Sequence, residues 1–285
     1  MDQPTARQVR LGSALRTLRL AVPGNDNGQE AVAKRLGFTE SKLSRIESGK
    51  IGISDSDFAV MLDLYGPEEN HRAYLFDLRK RSKVVGWEAD VRNSIDPDYA
   101  DYIGYEGDAF QAFNLETGII PGLLQTREYA VANSPASPWY GHAEIEESWK
   151  VKQRRQQVLT KPNPLRLWTI ISESAFRHEI GGPEVMRAQL LHLIDLSESL
   201  PNLSIQVLPE KSPAHGGLFG PYMILSFRER WEPDIVYIEG LTDTRWVERP
   251  DKVTDYGAQF NALMANAALR REESISLIRE HANRL

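Results

Sequence analysis

Between Gln29 and Lys50 the chain reads QEAVAKRLGFTESKLSRIESGK. Leu43 and Ile46 stand at helical spacing, so on a helix they face inward while Glu40, Ser41, Lys42, Ser44 and Arg45 face outward. The outward types are those that meet nucleic acid. Arg45 has the planar fork for guanine O6 and N7, and Glu40 can accept from cytosine N4. Ser41 and Ser44 suit either a base or a phosphate, and Lys42 suits a phosphate. Gln29 opens the preceding helix, where a side-chain amide and free backbone N–H groups can meet a phosphate. The same periodicity also fits a solvated hairpin of two amphipathic helices, and spacing alone leaves the two readings level.

The elements that would position these side chains are legible nearby. Gly37 sits between the two apolar periods, where a turn needs positive φ. Thr39 is placed to cap the helix that follows, and Ala33 is small where the two helices must cross. Upstream, Val9, Leu11, Leu15 and Leu18 suit a first helix, ended by the turn cluster Pro23–Gly28. Ala31, Val32 and Leu36 suit a second, closed by Gly37, and Leu43 and Ile46 a third, closed by Gly49. Ser54 is the expected cap of a fourth helix with Phe58, Met61, Leu62 and Tyr65, and Pro67 opens a fifth over Glu68–Arg81. Five short helices within residues 1–82 predict a compact all-α domain.

Residues 83–285 read as a second, α+β domain. Ser94–Tyr99 looks like a connecting turn before a helix that starts near Tyr99. Helices are expected over Ile145–Leu159, Pro183–Leu200, Val253–Ala268 and Glu273–Arg284. Strands are expected over Arg166–Ile171, Leu203–Leu208, Tyr222–Phe227 and Ile235–Glu239, in a small sheet of about four or five. Gly216-Gly217-Leu218-Phe219-Gly220 precedes a strand rather than a helix, the wrong context for a phosphate loop, and reads as a turn. Glu106 with Asp108, and Arg79-Lys80-Arg81 with Lys83, read as solvated surface. Glu144, Glu146 and Glu147 ahead of Lys150, Lys152, Arg154 and Arg155 read as ordinary helix support. The aromatics Trp87, Tyr99, Tyr102, Tyr105, Phe110, Phe113, Trp139, Tyr140 and Trp149 serve either a core or a binding surface. No catalytic constellation emerges, so no enzyme activity is expected.

Composition narrows the classes. The net charge of −6 hides an asymmetry: the first 50 residues carry 9 Lys/Arg against 5 Asp/Glu. Through Lys83 the balance is 14 against 11, and the remainder holds 20 against 29. Phosphate binding needs a local positive face, and an acidic second domain opposes non-specific contact. There is no cysteine, and the six histidines at 71, 142, 178, 192, 215 and 281 form no close ligand pair, so neither a metal nor a cofactor is expected. No apolar run approaches a membrane span and the first residues lack a secretory h-region, which fits a cytoplasmic chain.

The stretch Gln29–Lys50 resembles the Cro/CI-like helix-turn-helix of xenobiotic-response-element regulators: a glutamine-led helix, a glycine turn, and a recognition helix ending in Glu47-Ser48-Gly49-Lys50. That resemblance implies DNA binding through Gln29, Thr39, Glu40, Ser41, Lys42, Ser44, Arg45 and Lys50, and a buried structural pair between Arg19 and Glu47. Four later blocks, Pro121–Ala130, Ser172–Arg177, Gly181–Leu190 and Val236–Glu239, resemble the C-terminal domain of unknown function in actinobacterial WhiJ-type, antitoxin-like regulators. The expectation is therefore a homodimeric transcription regulator, repressor or activator, that binds double-stranded DNA and dimerises or senses a partner through its second domain. Two alternatives stand beside it: an antitoxin-like protein holding a small partner encoded nearby, and a regulator that responds to a small molecule.

Overall fold

The computed structural model describes residues 4–23, 27–83, 87, 95–134, 145–240 and 243–285. It divides into two compact units: residues 1–105 with Glu229–Glu232, and Glu106–Arg228 with Pro233–Leu285. Part of the Pro23–Gly28 turn cluster, as well as Ser94, Trp139, Tyr140 and Glu144, lie outside the described residues.

The first unit opens with α1 (Ala6–Ala21), α2 (Gln29–Leu36), α3 (Glu40–Glu47), α4 (Asp55–Tyr65) and α5 (Glu69–Ser82). Their boundaries follow local chemistry. Thr5 and Gln8 form a capping box at the start of α1, and Ser54 Oγ accepts from the Asp57 N–H at the start of α4. Gly66 ends α4 in the left-handed conformation. The apolar stripes converge on one core in which Leu15, Val32, Leu43, Phe58, Met61, Leu62, Leu75 and Leu78 are fully enclosed. Arg79 departs from the solvated surface expected of it. It is buried, donates to the Ile53 carbonyl at 3.0 Å and pairs with Asp55, while Lys83 reaches the same carboxylate at 3.1 Å. Its place in α5 puts it beneath the α3–α4 connection, and only packing reveals that.

The division between the units falls within α6 (Pro97–Asp108). The second unit then holds β1 (Gln111–Glu116), α7 (Arg127–Asn133), α8 (Ile145–Gln156), β2 (Arg166–Ser172), α9 (Pro183–Ser199) and β3 (Leu203–Leu208). It continues with β4 (Tyr222–Ser226), β5 (Ile235–Glu239), β6 (Thr244–Val247), α10 (Pro250–Asn266) and α11 (Arg271–Arg284). The sheet is mixed and six-stranded, in the order β3-β2-β1-β4-β5-β6. β1, β2 and β3 run parallel, whereas β4, β5 and β6 are joined antiparallel.

Among the described residues, six strands exceed the four or five expected, and the two additions are instructive. β1 lies between β2 and β4, and its polar Asn114 is as enclosed as Leu115. The sequence QAFNLE therefore shows no clean alternation of apolar and polar residues. β6 is short and at the edge, and Arg245 on it is exposed.

One sheet face carries Phe113, Leu115, Ile170, Tyr222, Ile224 and Val236 against Val253, Phe260 and Leu263 of α10. Alternation sends Asn114 and Glu116 to the other face. There the surface charges expected from the sequence turn out to be interior. Glu106 is fully buried and takes both prongs of Arg155, Nε at 2.5 Å and Nη2 at 2.9 Å. Lys152 is buried and donates to Gln125 Oε1 at 3.0 Å. Burial pushes the Lys152 ammonium down to about 8, with Arg155 adding repulsion, and pushes the Glu116 carboxyl up to about 8. α8 thus presents two cations inward, and the helix-support reading holds only for its exposed face, where Glu147 pairs with Lys150. Of the aromatics, Tyr99, Tyr102 and Tyr105 are buried, while Trp87, Phe110, Phe113 and Trp149 are half-buried.

Candidate nucleic-acid interface

α2 and α3 are joined by a turn whose chemistry is complete. Gly37 adopts φ 70°, the Phe38 N–H donates to the Ala33 carbonyl at 2.8 Å, and the Gly37 N–H to Lys34 at 3.2 Å. This is the double bond pattern that closes a helix at a left-handed residue. Thr39 then caps α3, its Oγ1 accepting from the Lys42 N–H at 3.1 Å. Leu43 and Ile46 are buried and face the core as the periodicity predicts.

Contacts from α1 hold α3 in place. Arg19 donates from Nε to Glu47 Oε1 at 2.6 Å and from Nη2 to Oε2 at 3.0 Å, with both side chains enclosed. The hydrogen bond to Glu47 raises the Arg19 pKa further. Arg19 also donates from Nη1 to the Asn27 carbonyl, so the α1–α2 connection is tied to the same pair. Gly12 adds a close approach: a Cβ there would stand 2.5 Å from the Glu47 carbonyl oxygen and 2.7 Å from that of Ile46. α1 therefore rests directly on the last turn of α3, a close approach that no spacing in the sequence announces.

The structure sorts the candidate residues. Thr39, Glu40, Ser41, Ser44, Arg45 and Lys50 are exposed. Among the described residues, the Arg45 guanidinium and the Lys50 ammonium have no hydrogen bond or ion pair, and both are available to a ligand. Two candidates are engaged elsewhere. Lys42 is half-buried, its Nζ 2.9 Å from Asp57 Oδ2 and 4.0 Å from the Phe38 ring centroid, which ties α3 to α4. The bond from Lys42 holds the Asp57 carboxyl below its usual range. Gln29 turns its amide to Glu47, Nε2 to Oε2 at 2.9 Å, and completes the Arg19–Glu47 group. Lys34 and Arg35, in the last turn of α2, are exposed and likewise unpaired among the described residues; they add to the positive charge of the first unit. Their signal in the sequence was only the local excess of cations.

A pinned helix with its core side buried and short polar side chains plus a free arginine outward is what a major groove admits. The fold and this face define a helix-turn-helix DNA-binding regulator. Residues 10–75 match the family model described as a helix-turn-helix domain. Residues 99–280 match the one described as domain of unknown function (DUF5753), and the chain belongs to that family. No curated protein matches the chain. Among the described residues, no helix is long and apolar enough to cross a membrane.

Proposed function

We propose that this protein is a sequence-specific transcription regulator of the cytoplasm, without enzyme activity, that binds double-stranded DNA as a homodimer and is controlled through its second unit. The observation that carries the reading is Arg45: exposed, unpaired among the described residues, and held on a helix whose position is set by Arg19–Glu47 and Gly12. Preorganisation of this kind reduces the entropy lost on binding. Two copies related by a two-fold axis set two α3 helices into half-sites one helical turn apart. The acidic balance beyond Lys83 supports confinement of DNA contact to the first unit.

The test is a mobility shift on the DNA upstream of the protein's own gene, with footprinting to define the site. Wild type retards the fragment and protects a two-fold symmetric stretch, and Arg45→Ala loses affinity at that site. Retention of full affinity by Arg45→Ala would overturn the recognition-helix reading.

A further inference from the structure

The second unit contains a cavity of about 730 Å³ bounded by the Gly216–Phe219 turn, β4, β5 and α10. This volume lies in the range of sites that enclose a small organic molecule. Its walls are largely apolar and aromatic, with Ile238 and Tyr256 beside a polar Gln259 and with Leu218 and Phe219 forming a lip. Those two lip residues are 72% and 96% exposed, the most exposed large apolar side chains among the described residues. Neither lysine nor arginine lines the cavity among the described residues, and the Asp255 carboxylate at its edge lies 3.0 Å from the Lys252 ammonium.

Two polar atoms lie behind the wall. Tyr222, 7% exposed, and His215 both line the cavity, and the Tyr222 hydroxyl and His215 Nδ1 are closed to water with no hydrogen-bond partner among the described residues. Burial pushes the Tyr222 phenol up to about 12, so it stays a neutral donor at physiological pH. An unsatisfied buried donor costs free energy that an incoming acceptor recovers. A concave site with an apolar lip and an idle donor fits a small ligand better than a flat protein surface. The absence of cationic lining argues against an anion.

We propose that this cavity is the effector site of the second unit and takes a neutral, largely apolar organic molecule bearing a carbonyl oxygen. The apolar body lies against Ile238 and Tyr256 beneath the Leu218–Phe219 lip, and the oxygen accepts from Tyr222 as the glycine-flanked turn adjusts. The effector role rests on the regulator reading above; binding itself does not.

The probe is prodan, a neutral naphthalene ketone whose emission reports its surroundings, titrated into the full-length protein. Saturable, blue-shifted emission with one probe per chain is expected. Tyr222→Phe weakens it by about fivefold, the worth of one hydrogen bond. Phe219→Ser, on an exposed side chain, weakens it by about tenfold through lost apolar contact. Ile238→Trp fills the cavity and abolishes binding, with thermal melting followed by circular dichroism checking that each variant folds. Emission that does not saturate, or folded Tyr222→Phe and Ile238→Trp variants that bind as wild type does, overturns the site. So does a Phe219→Ser variant that binds prodan normally but shifts sedimentation from dimer to monomer, which makes the lip an interface between copies. Prodan bound as expected by a chain that retards no DNA keeps the cavity and overturns the regulator reading instead. Prodan bound without any change in a measurable DNA affinity overturns the effector role.

Discussion

Arg19 and Glu47, 28 positions apart, meet as a two-pronged buried pair, with Nε 2.6 Å from Oε1 and Nη2 3.0 Å from Oε2. The pair joins the end of α1 to the end of α3, and Gln29 adds the start of α2 through its own bond to Glu47. One carboxylate thus organises three helices. A buried pair of this kind adds little net stability over an apolar substitute, yet removal of one partner leaves a charge stranded in the core.

Arg19→Ala is therefore expected to destabilise the first unit by about 3–5 kcal/mol. The double variant Arg19→Met, Glu47→Leu should lose much less, because neither charge remains to be desolvated. Urea unfolding of the full chain measures both. A loss below about 1 kcal/mol for Arg19→Ala would show that Glu47 finds other solvation and that the pair does not organise the helices.

Arg45 and Lys42 are adjacent in type and opposite in situation. Arg45→Ala should weaken specific DNA binding by about 1–3 kcal/mol and leave thermal stability unchanged. Lys42→Ala breaks the contact with Asp57 and should cost a few tenths of a kcal/mol up to about 1 kcal/mol in stability. Its effect on DNA affinity should be the smaller of the two. Fluorescence anisotropy on a labelled site, measured over a salt series, separates them. A reduction of the salt slope by about one in Lys42→Ala would place Lys42 on a phosphate after all.

Glu106 and Arg155 make the corresponding prediction for the second unit. Glu106→Ala leaves the Arg155 guanidinium buried without its carboxylate and should cost about 3–5 kcal/mol. Glu106→Gln keeps the shape and one acceptor and should recover part of that. Differential scanning calorimetry reads the loss, and two equally stable variants would mean that shape rather than charge holds Arg155.

Glu116 gives a pH dependence. Its carboxyl is raised from an ordinary value of 4.5 to about 8 by burial. Between those values the folded chain holds a proton that the unfolded chain has released, so the unfolded state binds fewer protons and stability falls as pH rises. The contribution is fully present below the unfolded value and lost as pH climbs through the folded one. Glu116→Gln should flatten the decline in urea midpoint from pH 5 to pH 8. Parallel midpoint curves for the two proteins would show that Glu116 is ionised throughout.

Much of the first unit is legible because its signals are local. Thr39, Ser54, Gly37 and Gly66 act within a few residues of themselves, and the spacing of Leu43 and Ile46 reports which side of α3 is buried. The resemblance of the Glu47-containing tail supplied the partner Arg19, which spacing did not. β1 escaped because a strand covered on both faces, with Asn114 bonded to Thr169 at 2.9 Å inside the unit, has no exposed polar side to alternate with. The charges of α8 escaped because their destination is set by residues as distant as Glu106 and Gln125.

By itself, the sequence determined roughly where most helices and strands lie, though not the short α7, which face of α3 meets the core, and that the cations gather near the N-terminus. Caps, turns and periodicity depend on neighbours within one or two turns of chain, and those neighbours are written side by side. The tertiary structure alone decided which charges remain free. It set Lys42 on Asp57, Gln29 on Glu47 and Arg155 on Glu106, and left Arg45 and Lys50 outside. A charged side chain is free or spent according to what lies within about 4 Å of it, and in a folded chain most of those atoms come from elsewhere in the sequence.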